Sequence, residues 1–297
     1  MATDRQILGI DIGATTVKYG LLTDGKLTHR AAEKVEAESN AALIAQLSRI
    51  VGRSEFGAVK AVGIGSPGPL NLDSGTIVAS ANMPAIHDCE LLPLLRANFT
   101  DKSFRLDNDA NAATLGEKFF GAGKGLGDFA VFTLGTGVGG GCIFNGSLQR
   151  GINGNFFEVG HIPLNTGRRC GCGHIGCLET VASATGISHS YENATRQRLS
   201  AAEIAKRAAA GDSEARRAYE MAAACLGLAA ATITQLMNIT AFVFTGGVAA
   251  AEPLLAAEVK RVYLEHTFTL FHASAKLIFT QGDEDAGILG AAALFLE

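Results

Sequence analysis

The sequence has no excess of charge of either sign. Lys plus Arg number 25 and Asp plus Glu 29, a formal net charge of -4, so there is no basic stripe for a nucleic-acid backbone and no nucleic-acid partner is expected. Charged residues make up only 18% and hydrophobic ones 47%, which excludes wholesale disorder. The opening Met1-Ala2-Thr3-Asp4-Arg5-Gln6 is polar and lacks the apolar core of a secretory leader, so the expected location is cytoplasmic. Residues 221–251 carry no charge and exceed the ~20 residues that span a bilayer. They are interrupted by Thr232, Thr234, Gln235, Asn238, Thr240 and Gly246-Gly247. A buried helix to about Met237, a turn at Asn238 and a buried strand over 241–245 are expected instead, with no membrane partner. Six cysteines are too few for a disulfide scaffold, and Cys89, Cys142 and Cys225 sit among apolar neighbours as small core residues. No Gly-Lys-Ser or Gly-Lys-Thr follows a glycine-rich turn, which excludes a Walker A loop, and no turn has the acidic partner of a dinucleotide fingerprint.

Glycine, by contrast, is abundant, 36 of 297 residues against a typical ~7%. Much of the excess lies in two clusters, Asp11-Ile12-Gly13-Ala14-Thr15-Thr16 and Gly135-Thr136-Gly137-Val138-Gly139-Gly140-Gly141. Such turns can present successive backbone N–H groups as an anion cradle. Either alone is as often a plain tight turn. Each, however, joins two apolar strands, 7–12 to 17–22 and 129–134 to 141–144, a weak internal duplication.

Asp24-Gly25 is a hairpin signal into a strand over 27–34, so the chain starts antiparallel. Helices are expected over 40–52, 91–99, 110–121, 249–265 and 286–296, and strands over 61–65 and 276–280, with mostly helix from Ser200. Ala81-Asn82-Met83-Pro84 reads as a loop. The alternation gives an α/β fold, and the length favours two domains.

Two constellations carry chemistry. An apolar strand over 104–106 ends in Asp107-Asn108-Asp109 before a helix, a corner able to hold a polar ligand. Asp109 is a candidate base there, although Asn and Asp also simply cap helices. The second is His161 followed by Cys170-Gly171-Cys172-Gly173-His174-Ile175-Gly176-Cys177. Three thiolates and an imidazole close a tetrahedral zinc site with no open position, which is structural rather than catalytic. His174 rivals His161 as fourth ligand on spacing. Glu158 and Glu179 flank this loop. Exposed glutamates are usually only solvated, but here zinc would rigidify a segment bearing two carboxylates and an imidazole whose second nitrogen can meet a hydroxyl.

Together, Asp11-Ile12-Gly13, Leu106-Asp107-Asn108-Asp109-Ala110-Asn111, Leu134 to Gly141, Glu158-Val159-Gly160-His161 and Cys170-Gly171-Cys172-Gly173 through Gly176-Cys177-Leu178-Glu179 resemble the ROK (repressor, open reading frame, kinase) family over almost the whole chain. The resemblance implies the two-lobed actin-like ATPase (ribonuclease H-like) fold, with ATP and sugar in a cleft between the lobes and a zinc-stabilised loop. The small lobe would be residues 1–109 completed by 283–297, the larger lobe 110–282, and the assembly a homodimer. It implies ATP with Mg2+ as cofactor and a hexose as substrate. Asp109 would be the base for the sugar's 6-hydroxyl, with Asn82, Asn108, Asp109, Glu158, His161 and Glu179 as sugar contacts. Asp11, Gly13, Ala14, Thr15, Thr16, Gly135, Thr136, Gly137, Gly139, Gly246 and Gly247 would bind ATP, and His161, Cys170, Cys172 and Cys177 would bind structural zinc.

The implied activity is an ATP-dependent hexose 6-kinase, most simply for glucose, with N-acetylglucosamine, N-acetylmannosamine, fructose or allose as alternatives. The family also contains sugar-responsive repressors, which carry a helix-turn-helix module before the first turn. Only residues 1–8 precede that turn here, so the kinase is expected. The chain departs from the family at Ala14 and Thr16, where Gly and Lys are common. Phe157 stands where a Gly usually precedes the glutamate, and Ala85-Ile86-His87 stands where glucose-specific members often carry aromatic residues. The last two departures are expected beside the sugar.

Overall fold

The computed structural model describes residues 6–80, 83–281 and 285–297. Along the chain, β1 (Ile7–Ile12), β2 (Thr16–Thr23) and β3 (Lys26–Lys34) precede α1 (Asn40–Val51) and β4 (Ala61–Ser66). Three short strands, β5 (Leu70–Asn71), β6 (Thr76–Ala79) and β7 (His87–Cys89), lead to α2 (Leu91–Asn98), β8 (Ser103–Asn108) and α3 (Asp109–Phe119). Then come β9 (Phe129–Leu134), β10 (Val138–Phe144), β11 (Ser147–Leu148), α4 (Glu179–Ala182), α5 (Ala184–Thr195), α6 (Ala201–Ala209) and α7 (Ser213–Met237). The chain closes with β12 (Ala241–Thr245), α8 (Glu252–Glu265), β13 (Lys276–Phe279) and α9 (Ala286–Ala293).

These elements form two units, one of residues 1–125, 147–156 and 284–297, the other of 126–146 and 157–283. The first boundary lies at Gly125, not after residue 109, because α3 packs along α9 and so stays with the first unit.

The first unit's main sheet has the order β3-β2-β1-β4-β8. Asp24 and Gly25, both at positive φ, make the two-residue turn that matches strand twist, so β1, β2 and β3 are antiparallel as expected. β1, β4 and β8 are parallel, with Asp11 opposite Gly65 and Ser66 opposite Asn108. Parallel pairing therefore brings the carboxyl ends of three strands to one edge. On one face, Leu43, Leu47 and Ile50 of α1 and Leu91, Leu92 and Leu95 of α2 join a core of Ile10, Ile12, Val17, Val62, Ile64 and Leu106. On the other face α9 lies almost on the backbone of β1 and β4. A Cβ at Gly9 or Gly63 would overlap the carbonyls of Ile288 or Ala291.

The second unit repeats that plan. Its strands run β10-β9-β12-β13, the first pair antiparallel and the rest parallel. β9 and β12 are apolar on both faces because both are covered. Phe132 stacks on Phe244 (5.1 Å) and Phe244 on Phe279 (4.7 Å), adding aromatic contact energy to area burial. The 25-residue α7 is long and apolar enough to cross a membrane, yet half of its apolar window is buried within the fold, with α5, α6 and α8 packed on it. Asn238 ends it in the left-handed conformation, φ 57°, where Asn is tolerated. Unanticipated in the sequence are α4 and α5. The first is a single turn, and the second starts at Ser183, whose side chain accepts from the Gly186 amide.

Candidate active site

At the strand-end edge of the first unit, Asn108 caps α3 and Asp109 is its first residue. The Ala110 amide, 2.9 Å from each, donates to Asn108 Oδ1 and to Asp109 Oδ1. The cap is thus shared, and Asn108 keeps its Nδ2 to donate. Asp109 is exposed as a residue, but protein crowded around its carboxyl group desolvates the charge, and this burial raises it above the ordinary carboxylate range against the lowering effect of the Ala110 amide. Asp11, at the end of β1, is raised to about 6, first by burial and then by the charge of Asp109, with Lys18 opposing. The two carboxylates near each other, opposed at Asp11 by Lys18, give the site a negative field.

Behind this pair stands a buried network. Asp107, 1% exposed, accepts from the Asn108 amide (2.8 Å), Asn111 Nδ2 (2.8 Å) and Arg150 Nε (2.6 Å). Arg150 also donates to Glu297 (2.6 Å). Asp107 therefore fixes the backbone immediately before the candidate base, and Arg150 neutralises it. Arg150 escaped the sequence reading because nothing in a chain of separate motifs pairs residues 107 and 150.

In the second unit, the Gly135–Gly137 turn closes with a Gly135 N–H to Gly137 carbonyl bond of 3.0 Å. Three groups from α4 and α5 hold it. The Val138 amide donates to Glu179 Oε2 at 3.0 Å, the Ala184 amide to the Gly135 carbonyl at 2.8 Å, and Thr185 Oγ1 to the Thr136 carbonyl at 2.9 Å. A Cβ at Gly137 would overlap the Glu179 carboxylate. Gly246, φ 97°, brings the β12 end against Leu134, and the Val248 amide donates to the Leu134 carbonyl at 3.0 Å. The two expected glycine motifs of this unit thus meet. A cavity of about 460 Å³ opens beside the turn, lined by Thr136, Thr185, His189, Glu192, Arg198 and Ser200 among others.

Next to Glu179 lies the candidate metal set. Ligand atoms of His161, Cys170, Cys172 and Cys177 all fall within 4.8 Å of one another. Cys170 Sγ is 3.7 Å from His161 Nδ1, and Cys172 Sγ is 3.6 Å from Cys177 Sγ. Metal–ligand bonds of about 2.0–2.3 Å at tetrahedral angles place ligand atoms roughly 3.5–3.8 Å apart, so the donor set and spacing fit zinc. His174 Nδ1 approaches Cys172 alone, at 3.5 Å, and it does not belong to the mutually close four. The His174 amide holds the Cys172 thiol down to about 6, while burial pushes Cys177 up to about 12. Cys170 Sγ donates to Glu179 Oε1 at 3.6 Å, so one carboxylate touches both the glycine turn and the metal set.

Glu158 and His161 bracket a turn of 3-10 helix pressed on β10, where Gly160 has no room for a Cβ beside Val138. Both side chains are exposed. Phe157 takes φ 66°, a left-handed conformation that explains a glycine preference at this position. Its half-buried ring turns onto Phe132, edge to face at 6.4 Å. Ile86 is buried and the His87 carbonyl is bonded to Asn40, so part of that second departure serves packing. Asn82 lies outside the described residues.

The ROK family model matches residues 7–297. The chain belongs to the ROK family. Among relatives, it is 33% identical to a glucokinase of Thermotoga maritima, over 98% of either chain. It is also 35% identical to an N-acetyl-D-glucosamine kinase of Shigella sonnei, over 74% of this chain and 78% of that one. The structure of a ROK glucokinase from Streptomyces griseus in complex with glucose and AMPPNP superposes with a TM-score of 0.82 at 28% identity, covering 97% of this chain and 98% of that one. This ROK member thus has the mixed α/β fold of ROK sugar kinase structures.

Proposed function

We propose that the chain transfers the γ-phosphoryl group of ATP to the 6-hydroxyl of a hexose, most simply glucose. The observation that carries this reading is Asp109. It is an exposed residue whose carboxyl, desolvated by the surrounding protein, has raised proton affinity, set at a helix start and braced through Asn108 and Asp107. As general base it takes the hydroxyl proton while that oxygen attacks the γ-phosphorus and ADP departs. Asn82, Asn108, Glu158, His161 and Glu179 hold the sugar hydroxyls. The Gly135–Gly137 turn, Gly139, the Gly246-Gly247 pair and the first turn from Asp11 to Thr16 hold the nucleotide, whose nucleoside the cavity beside Thr136 accommodates. Kinship with glucokinases and with a structure containing glucose and AMPPNP supports this reading.

Zinc is the resident metal of the reading, held by His161, Cys170, Cys172 and Cys177. It fixes the loop and leaves His161 Nε2 to face a hydroxyl. Mg2+ accompanies ATP, neutralising phosphate charge, and the mutual repulsion of Asp11 and Asp109 is what a cation there would relieve. The fold is the two-lobed actin-like one, and the working form is a cytoplasmic homodimer. An N-acetylhexosamine is the second reading, favoured by the N-acetyl-D-glucosamine kinase relatives. Coupled ADP release measured over hexoses and N-acetylhexosamines tests both. Highest kcat/KM with glucose supports the first, highest with N-acetylglucosamine the second, and no turnover with any of them refutes the kinase.

A further inference from the structure

The metal loop reaches beyond its own ligands through Arg168, two residues before Cys170. One terminal nitrogen, Nη1, donates to the Thr180 carbonyl (2.9 Å), the Gly186 carbonyl (3.2 Å) and Ser190 Oγ (3.0 Å). These acceptors run from α4 into the second turn of α5. Thr166, in the same loop, places its hydroxyl 2.8 Å from that of Thr180. The segment so gripped carries, within a few residues, three groups that hold the second glycine turn. They are the Glu179 carboxylate on the Val138 amide, the Ala184 amide on the Gly135 carbonyl, and Thr185 Oγ1 on the Thr136 carbonyl.

We infer that Arg168 is a positioning residue that ties the metal-binding loop to the Gly135–Gly137 turn through α4 and α5, so that the metal site governs nucleotide affinity as well as sugar contact. This rests on the proposed role of that turn as a phosphate site. The physical reason is geometric. Backbone donors bind phosphate only where they point, and displacements of about 1 Å at such positions can cost ~10²-fold. Three acceptors converge on the one nitrogen Nη1, whose two N–H groups lie in the fixed guanidinium plane, whereas a lysine ammonium is a point charge on a shorter, more flexible stem. Among the described residues, the hydrogen-bond partners of Arg168 include neither His161 nor Glu158, so its loss falls mainly on the nucleotide turn and reaches the proposed sugar contacts only through Glu179, which the Val138 amide and Cys170 also hold.

The test uses the full chain with its metal. In Arg168→Met, ADP affinity by calorimetry is expected to fall by about tenfold, with zinc per chain unchanged and glucose affinity altered by less than about twofold. KM for ATP rises while KM for sugar holds. Arg168→Lys falls between Met and wild type. Stripping zinc with a chelator weakens ADP binding in the wild type but adds nothing to the loss in Arg168→Met. Unchanged ADP affinity in the metal-loaded variant, or equal losses of ADP and sugar affinity, would overturn the coupling. If Arg168→Met does not fold, ADP affinity that survives both Arg168→Lys and zinc removal overturns it equally. Absence of ADP binding to wild type would instead refute the phosphate role of the turn itself.

Discussion

The two glycine turns share a strand plan and differ in what holds them. The first closes on itself and its hairpin neighbour, with the Gly13 amide on the Thr16 carbonyl (2.9 Å) and the Val35 amide on the Thr15 carbonyl (3.0 Å), while Ala14 and Thr15 stand exposed. The second is gripped by groups roughly 40 to 110 residues downstream, from Glu179, Ala184 and Thr185 to Val248. Their electrostatics differ too. Asp11 and Asp109 repel each other beside the first turn, whereas the carboxylate of Glu179 at the second is occupied by the Val138 amide. On the proposed reading, the first turn works with a cation-bearing phosphate next to the base, and the second holds phosphate through fixed backbone donors. Two turns alike in strand plan thus differ in their supports, and on the proposed reading in their tasks.

The contrast is most vulnerable at the base. Asp109→Asn keeps the shared cap bond but cannot accept a proton. Its kcat should fall by roughly 10²–10⁴-fold with sugar affinity nearly intact, read by steady-state kinetics and calorimetry. Near-normal turnover would sink the assignment. The second turn is tested next. A Cβ at Gly137 must displace Glu179, whereas one at Gly135 meets open space. Gly137→Ala should therefore raise KM for ATP by about tenfold or more and Gly135→Ala by less than about twofold. Equal effects would mean that Glu179 does not brace the turn.

A smaller effect is expected from Phe157→Gly. It relieves a left-handed residue, worth about 1–2 kcal/mol, and loses an aromatic contact of about 0.5–1.5 kcal/mol plus buried area. Thermal stability should fall modestly, since the lost ring contact and area outweigh the relieved strain, while the kcat/KM ratio among sugars shifts with the altered backbone before Glu158. Equal changes for every sugar would show that Phe157 only packs.

The smallest effect concerns Asp11. Its carboxyl is raised from 3.8 to about 6, so the folded state holds that proton more tightly than the unfolded chain. Stability is unaffected below pH 3.8 and is lost as pH rises from 3.8 to about 6. Asp11→Asn should consequently raise Tm at pH 8 by roughly 2–4 °C and change it little at pH 4. A stabilisation independent of pH would contradict this account.

Much of the fold was legible in the chain. Apolar runs bounded by Asp24-Gly25, Gly13 and Gly135 located β1, β2, β3, β9 and β10 because a strand needs only local alternation or burial and a turn residue able to adopt its angles. The charge-free 221–251 stretch resolved into α7, Asn238 and β12 for the same reason. Three cysteine ligands of the candidate metal set were nameable from spacing, since a knuckle is a local object. Arg150 and Arg168 were not nameable, because a half-buried arginine reads like a surface one until its acceptors, 43 and 12 to 22 residues distant, are placed.

Spacing over a few residues was enough to define most of the elements, the repeated strand-turn-strand plan, the candidate base and the three cysteines of the candidate metal set. It could not choose between His161 and His174 as the fourth ligand, since closure of that set depends on where the loop folds back. Nor could it assign α3 to α9, because close helix contact at Gly116 and Gly290 joins residues far apart in the chain. Folding, finally, is what put Glu179 against both the glycine turn and Cys170, a carboxylate whose neighbours are supplied by β10 on one side and the metal loop on the other.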